Sequence, residues 1–140
     1  MAEGDAIVLN NFKEQLLLKV IDCDTDTFKI ALYSVALASP DGEIAYSVTN
    51  EIVASGYTAG GAAVGAPVVT QDDTNNRAKW DDNGSNVTWT SLATATILEA
   101  RLYDDTTVTK HVCILWAIAT NSNGGNYTLQ FHADGILLLS

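Results

Sequence analysis

Thr27-Phe28-Lys29-Ile30-Ala31-Leu32-Tyr33 alternates apolar side chains with others. Phe28, Ile30 and Leu32 fall on one side of an extended chain and Lys29 and Tyr33 on the other, the two-residue period of a strand. Before it stands a short polar run, Asp22-Cys23-Asp24-Thr25-Asp26, whose side chains compete for the local backbone and stop a helix. The segment before that run, Asn10 to Val20, reads as the chain's one helix. Asn11 and Glu14 have capping-box spacing, and Phe12, Leu16 and Lys19 share a face with Leu17 and Val20 beside it. Residues 1–9 are left as an N-terminal arm, and 10–140 as a single β-rich domain.

Beyond Tyr33 the signals stay β. Pro40-Asp41-Gly42 is a turn, and Ser55-Gly56-Tyr57-Thr58-Ala59-Gly60-Gly61 is a glycine-rich loop. Strands are expected at Ala63–Thr70, where Pro67 argues for an edge or bulge, and at Arg77–Trp80, Asn86–Thr90, Ala95–Tyr103 and Val108–Ala119. Tyr127–Phe131 and Ile136–Leu139 close the chain, after a strong turn at Asn121–Asn126. Short strands at even spacing predict a mainly β, antiparallel sandwich or small barrel, jelly-roll or immunoglobulin-like, with one short helix.

The 140 residues are enough for one core without staples. Seven Lys and Arg against seventeen Asp and Glu give a net charge of −10, which repels phosphate backbones and anionic lipid. No nucleic-acid or membrane partner is therefore expected. The apolar runs are strand-sized, and the acidic start is unlike a signal peptide, so synthesis in a cytoplasm is expected. Cys23 and Cys113 read as free, small buried hydrophobes.

No constellation points to catalysis, a cofactor or a metal. Asp22, Asp24 and Asp26 imitate the start of a calcium loop, but Thr27 stands where Gly is needed and Tyr33 where a bidentate Glu is needed. They read as a polar turn. Asp72-Asp73, Asp81-Asp82 and Asp104-Asp105 read as solvated turn pairs whose neighbouring side chains point apart. His111 falls with Cys113 and Leu115 in the alternation, without a motif for a Cys–His nucleophile. Two His and two Cys lack zinc spacing, and Gly56, Gly60 and Gly61 form no phosphate loop. Trp89 and Trp116 read as core.

Four stretches occur in a telling order: Phe12-Lys13-Glu14-Gln15-Leu16-Leu17; Asp24 to Tyr33; Thr49-Asn50-Glu51 through Gly56-Tyr57-Thr58-Ala59-Gly60-Gly61; and Val87-Thr88-Trp89-Thr90 with Glu99 to Thr106. Together, over roughly positions 10 to 135, the set resembles a family of small virion proteins of tailed bacteriophages. That resemblance implies a structural role without catalytic residues, as a capsid decoration or cement protein that is often trimeric. The turn Asp81–Asn86 is longer than the family's pattern and alters an exposed loop.

The expected function is therefore a decoration protein on the outer face of the virion head, bound to the major capsid protein as a homotrimer. Ile7, Val8, Leu9 and Phe12 are candidate capsid or subunit contacts, unless they cover the domain's own core. The alternative is a tail or head fibre component that meets a host surface glycan through loops at Tyr57, Asn83 and Asn123.

Overall fold

The computed structural model describes residues 4–140, so positions 1–3 of the expected arm lie outside the described residues. The fold is mainly β, with antiparallel sheets and one helix in a sandwich-like arrangement. Its frame is the hairpin of β7 (Thr96–Asp104) and β8 (Val112–Asn121). The deciding stretch forms β2 (Phe28–Tyr33) along β7, placing Ile30 opposite Leu102, and Leu102 in turn faces Ile114. β1 (Ala6–Val8) and β3 (Ala62–Ala63) complete a five-stranded sheet in the order β1-β8-β7-β2-β3.

One face of this sheet carries Phe28, Ile30, Leu32, Leu102 and Ile114 into the main core. Across that core lie α1 (Asn10–Leu17), a three-stranded sheet and a two-stranded sheet. The three-stranded sheet has β5 (Arg77–Asp81) between β10 (Leu137–Leu139) and β4 (Val68–Asp72). The two-stranded sheet pairs β6 (Val87–Trp89) with β9 (Tyr127–Leu129). Trp80 of β5 sits against Phe28 edge-on at 4.8 Å and against Phe12 at 5.9 Å, so helix, small sheet and large sheet meet at one indole. Burying a ring such as Phe12 contributes about 2–3 kcal/mol.

The other face of the large sheet is covered as well. Leu9, Ala31, Tyr33, Tyr103, Val112 and Leu115 form a second, smaller core beneath residues 34–61. Tyr33, on the face opposite Phe28, Ile30 and Leu32, is buried as well, because this long segment folds back over it.

The expected arm is in its described part a strand. Ala6, Ile7 and Val8 pair with Trp116, Leu115 and Ile114 of β8, and the Leu9 N–H donates to the Cys113 carbonyl at 3.0 Å. The helix is shorter than expected, and its capping box does not form. Leu9 occupies the cap position without a side-chain bond, because Asn11 is spent elsewhere: its Nδ2 meets the Ile44 carbonyl and His111 Nδ1, each at 3.0 Å.

The single strand expected at Ala63–Thr70 is two. β3 ends against β2, and the chain crosses through Gly65, Ala66 and Pro67 to join β5 as the edge strand β4. A proline cannot donate to a ladder, so the break falls there. β8 starts at Val112 rather than Val108. Asp105 and Lys110 are ion-paired and Lys110 adopts φ +53°, which holds Val108 out in solvent at the tip of the loop.

Candidate functional site

The long segment over the second core is held by one carboxylate. Glu51 is buried and accepts three hydrogen bonds: from the Tyr57 hydroxyl at 2.5 Å, the Tyr46 hydroxyl at 2.7 Å and the Gly60 N–H at 2.7 Å. Tyr57 accepts in turn from the Leu32 N–H at 3.0 Å, while Tyr103 donates to the Gly60 carbonyl at 2.7 Å and stacks on Tyr46 at 4.5 Å. Burial first, and then the bond to Glu51, pushes the Tyr57 hydroxyl well above its ordinary pKa, so it stays a donor. Gly61 has φ +74°, and a Cβ there would collide with the Ile30 carbonyl. The glycine-rich loop is thus a clamp that fixes residues 50–61 on the sheet. Tyr57, expected as an exposed binding residue, is corrected: its ring stacks near Trp89 at 6.3 Å and its hydroxyl is occupied.

A second charged pair lies in the same layer. Arg101 Nε donates to Glu99 Oε1 at 2.5 Å, with the two side chains only 5 % and 0 % exposed. The guanidinium lies 3.6 Å from the centre of the Tyr33 ring and reaches the Val35 carbonyl, while Glu99 Oε2 accepts from the Leu37 N–H. Both groups are spent on holding residues 35–37 in place.

The acidic run is a turn. Asp22 Oδ1 accepts from the Asp24 N–H, Asp26 Oδ2 from the Asp22 N–H, and Asp24 Oδ1 from the Val69 N–H on the edge of β4. Asp22 is held below the ordinary carboxylate pKa by its bond to the Asp24 N–H and then by Thr25. No group of three or more potential ligands able to hold a metal ion occurs among the described residues. Asp82 departs from expectation, because it is buried rather than solvated. Lys79, 2.7 Å away, lowers Asp81, whereas burial and then the neighbouring Asp81 carboxyl raise Asp82.

Cys23 and Cys113 are free thiols. Burial, with Asp22 and Asp26 adding, pushes Cys23 up to about 12, and burial raises Cys113 well above its ordinary value. The thiolate is the nucleophilic form, so neither is activated. Cys113 Sγ meets the carbonyl of His111 and not its ring, which Asn11 holds.

Of the expected capsid contacts, Leu9 and Phe12 are core, and Ile7 and Val8 are half-buried in β1. They cover the domain's own interior. Asn83 and Asn123 do lie on exposed turns, Asn83 with φ +54° and Asn123 with its Oδ1 accepting from the Gly125 N–H. These two stay available; Tyr57 does not.

Two surface features went unread in the sequence. The first is an apolar hollow of about 170 Å³ between the end of α1 and the small sheet, lined by Leu16, Val69, Ala78, Trp80, Leu137 and Leu139. Leu139 in its lining is 59 % exposed, and on the helix that borders it Leu17 is 86 % exposed. The run Leu16-Leu17-Leu18 followed by Val20 was the available signal, since consecutive helical residues cannot all face inward. The second is a cleft of about 580 Å³ beside β1, with Trp116 and Phe131 in its lining. Trp116, expected in the core, is only half-buried there.

No protein-family model matches the chain, and no curated protein or solved structure does.

Proposed function

We propose that this chain is a structural protein of a tailed-phage virion, a decoration or cement protein that binds the outside of the head shell as a homotrimer. The observation that carries the reading is the apolar hollow and its rim on an otherwise acidic, tightly fastened β module. Monomeric proteins seldom leave leucines as exposed as Leu17 and Leu139 around an apolar hollow, and such patches mark contact surfaces. A hollow of this size accepts one apolar side chain of the major capsid protein, with Lys79 in its lining as the polar neighbour. The clamp at Glu51 and the pair at Glu99 and Arg101 keep the module rigid, so little ordering entropy opposes binding. Many modest contacts repeated over a symmetric lattice then add up, and a trimer suits its three-fold axes.

The fibre reading lost one of its three loop residues when Tyr57 proved to be occupied. The test is co-sedimentation with expanded heads. Binding is expected for the native chain and is expected to be lost in Leu17→Asp and Leu139→Asp, both of which change exposed positions and leave the core intact. Binding that survives both substitutions removes this surface from the account.

A further inference from the structure

The cleft beside Trp116 and Phe131 has a construction of its own. The two rings pack edge to face, with centroids 5.9 Å apart at 65°, and line it as one continuous aromatic wall. Gln130 and His132 also line it, and both are exposed. Its volume of about 580 Å³ lies within the range of small-ligand sites, roughly 300–1,000 Å³.

His132 is held with more care than a surface histidine needs. Residues 132–135 form a tight turn closed by the Gly135 N–H on the His132 carbonyl at 2.8 Å. Gly135 has φ +100° and packs on the Trp80 carbonyl, where a Cβ would sit 2.7 Å away. His132 Nδ1 lies 3.1 Å from the Asp134 N–H and 3.5 Å from Asp134 Oδ2, which tethers the ring to the turn through that nitrogen. Asp134 is itself anchored by Arg77 at 3.0 Å, and Arg77 by Asp72 at 2.8 Å. Nε2 is left without a hydrogen-bond partner among the described residues, and so is the amide of Gln130, which also lines the cleft.

We propose that this cleft binds a neutral saccharide. The C–H face of a pyranose ring lies on an aromatic wall, and its hydroxyls each both donate and accept, matching an amide and an imidazole on the same cleft. A purely apolar occupant would cover Gln130 and His132 without replacing their water, which is unfavourable. An anionic sugar would approach a chain with a net charge of −10. The site is separate from the hollow beside Leu139 and does not rest on the decoration reading.

The experiment is a printed array of neutral and acidic di- to tetrasaccharides, followed by NMR titration of the neutral sugar that gives the strongest signal. Binding of a neutral sugar is expected, weakened at least about fivefold in His132→Ala and in Gln130→Ala. Both positions are exposed, so these variants fold, and circular dichroism checks that they do. Trp116→Ala should abolish binding. No neutral sugar bound at about 10 mM, binding only to acidic sugars, or binding unchanged in His132→Ala and Gln130→Ala would each overturn the proposal. Seating of an extended peptide along the open side of β1, seen as shifts at Ala6 and Val8 without sugar binding, would do so as well.

Discussion

Tyr57 donates its hydroxyl hydrogen to Glu51 Oε1 at 2.5 Å and accepts the Leu32 N–H at 3.0 Å, tying the glycine-rich loop to the interior strand β2. One phenol oxygen therefore satisfies a buried carboxylate and a buried backbone donor together. Tyr57→Phe keeps the ring against Trp89 but strands both partners. It should cost about 2–3 kcal/mol in urea unfolding. Glu51→Ala should cost at least as much, and the double variant less than the sum, because both remove the same contact. A loss under about 0.5 kcal/mol for Tyr57→Phe would mean that the clamp does not hold the loop.

Arg101 and Glu99 make a different kind of prediction. Their bond is buried, and an ion pair in that position is weak support for stability, though removing one partner is costly. Arg101→Met leaves Glu99 charged and buried, and should destabilise by about 3–5 kcal/mol. Glu99→Leu combined with Arg101→Met should recover most of that loss. Recovery would show that the pair serves to place Val35 and Leu37 rather than to add net stability. Thermal unfolding of the native chain and both variants decides it.

Asp104 gives a pH dependence with a definite sign. It is buried, its Oδ1 accepts from the Thr106 N–H at 2.7 Å, and its Oδ2 meets no hydrogen-bond partner among the described residues. Burial pushes its pKa above the ordinary 3.8. A carboxyl raised in the folded state favours folding below its unfolded value, and that contribution is lost as pH rises through the folded value. Asp104→Asn removes the penalty, and should stabilise by about 1–2 kcal/mol near pH 7. The advantage should vanish toward pH 3. Asp105, lowered by Lys110 and Lys29 against the opposing effect of its burial, works in the other direction and is untouched by this substitution. Urea midpoints of both proteins across that range provide the check, and a variant less stable at pH 7 would contradict it.

Much of the frame could be read from side-chain order. The alternation of Phe28, Ile30 and Leu32 placed β2, and the turn residues after Ala119 ended β8 close to where it ends. What escaped were contacts between distant segments. Nothing local to Tyr33 says that residues 34–61 will cover it, and nothing local to Asn11 says that Ile44 and His111 will draw its amide away from a helix cap. Tyr57 looked like an exposed loop aromatic because its partner, Glu51, acquires its meaning only once both lie under the sheet. The hollow at Leu139 and the cleft at Trp116 are gaps between elements, and a gap leaves no pattern in either strand that borders it.

The central claim is that the chain is a repeated component of a phage head. The most direct measurement is its copy number in purified virions, by quantitative mass spectrometry against the major capsid protein. The account predicts a ratio near parity or a simple fraction of it, as a lattice component requires. A few copies per particle would instead place the chain in a fibre or tail, and its absence from the virion would contradict the account altogether.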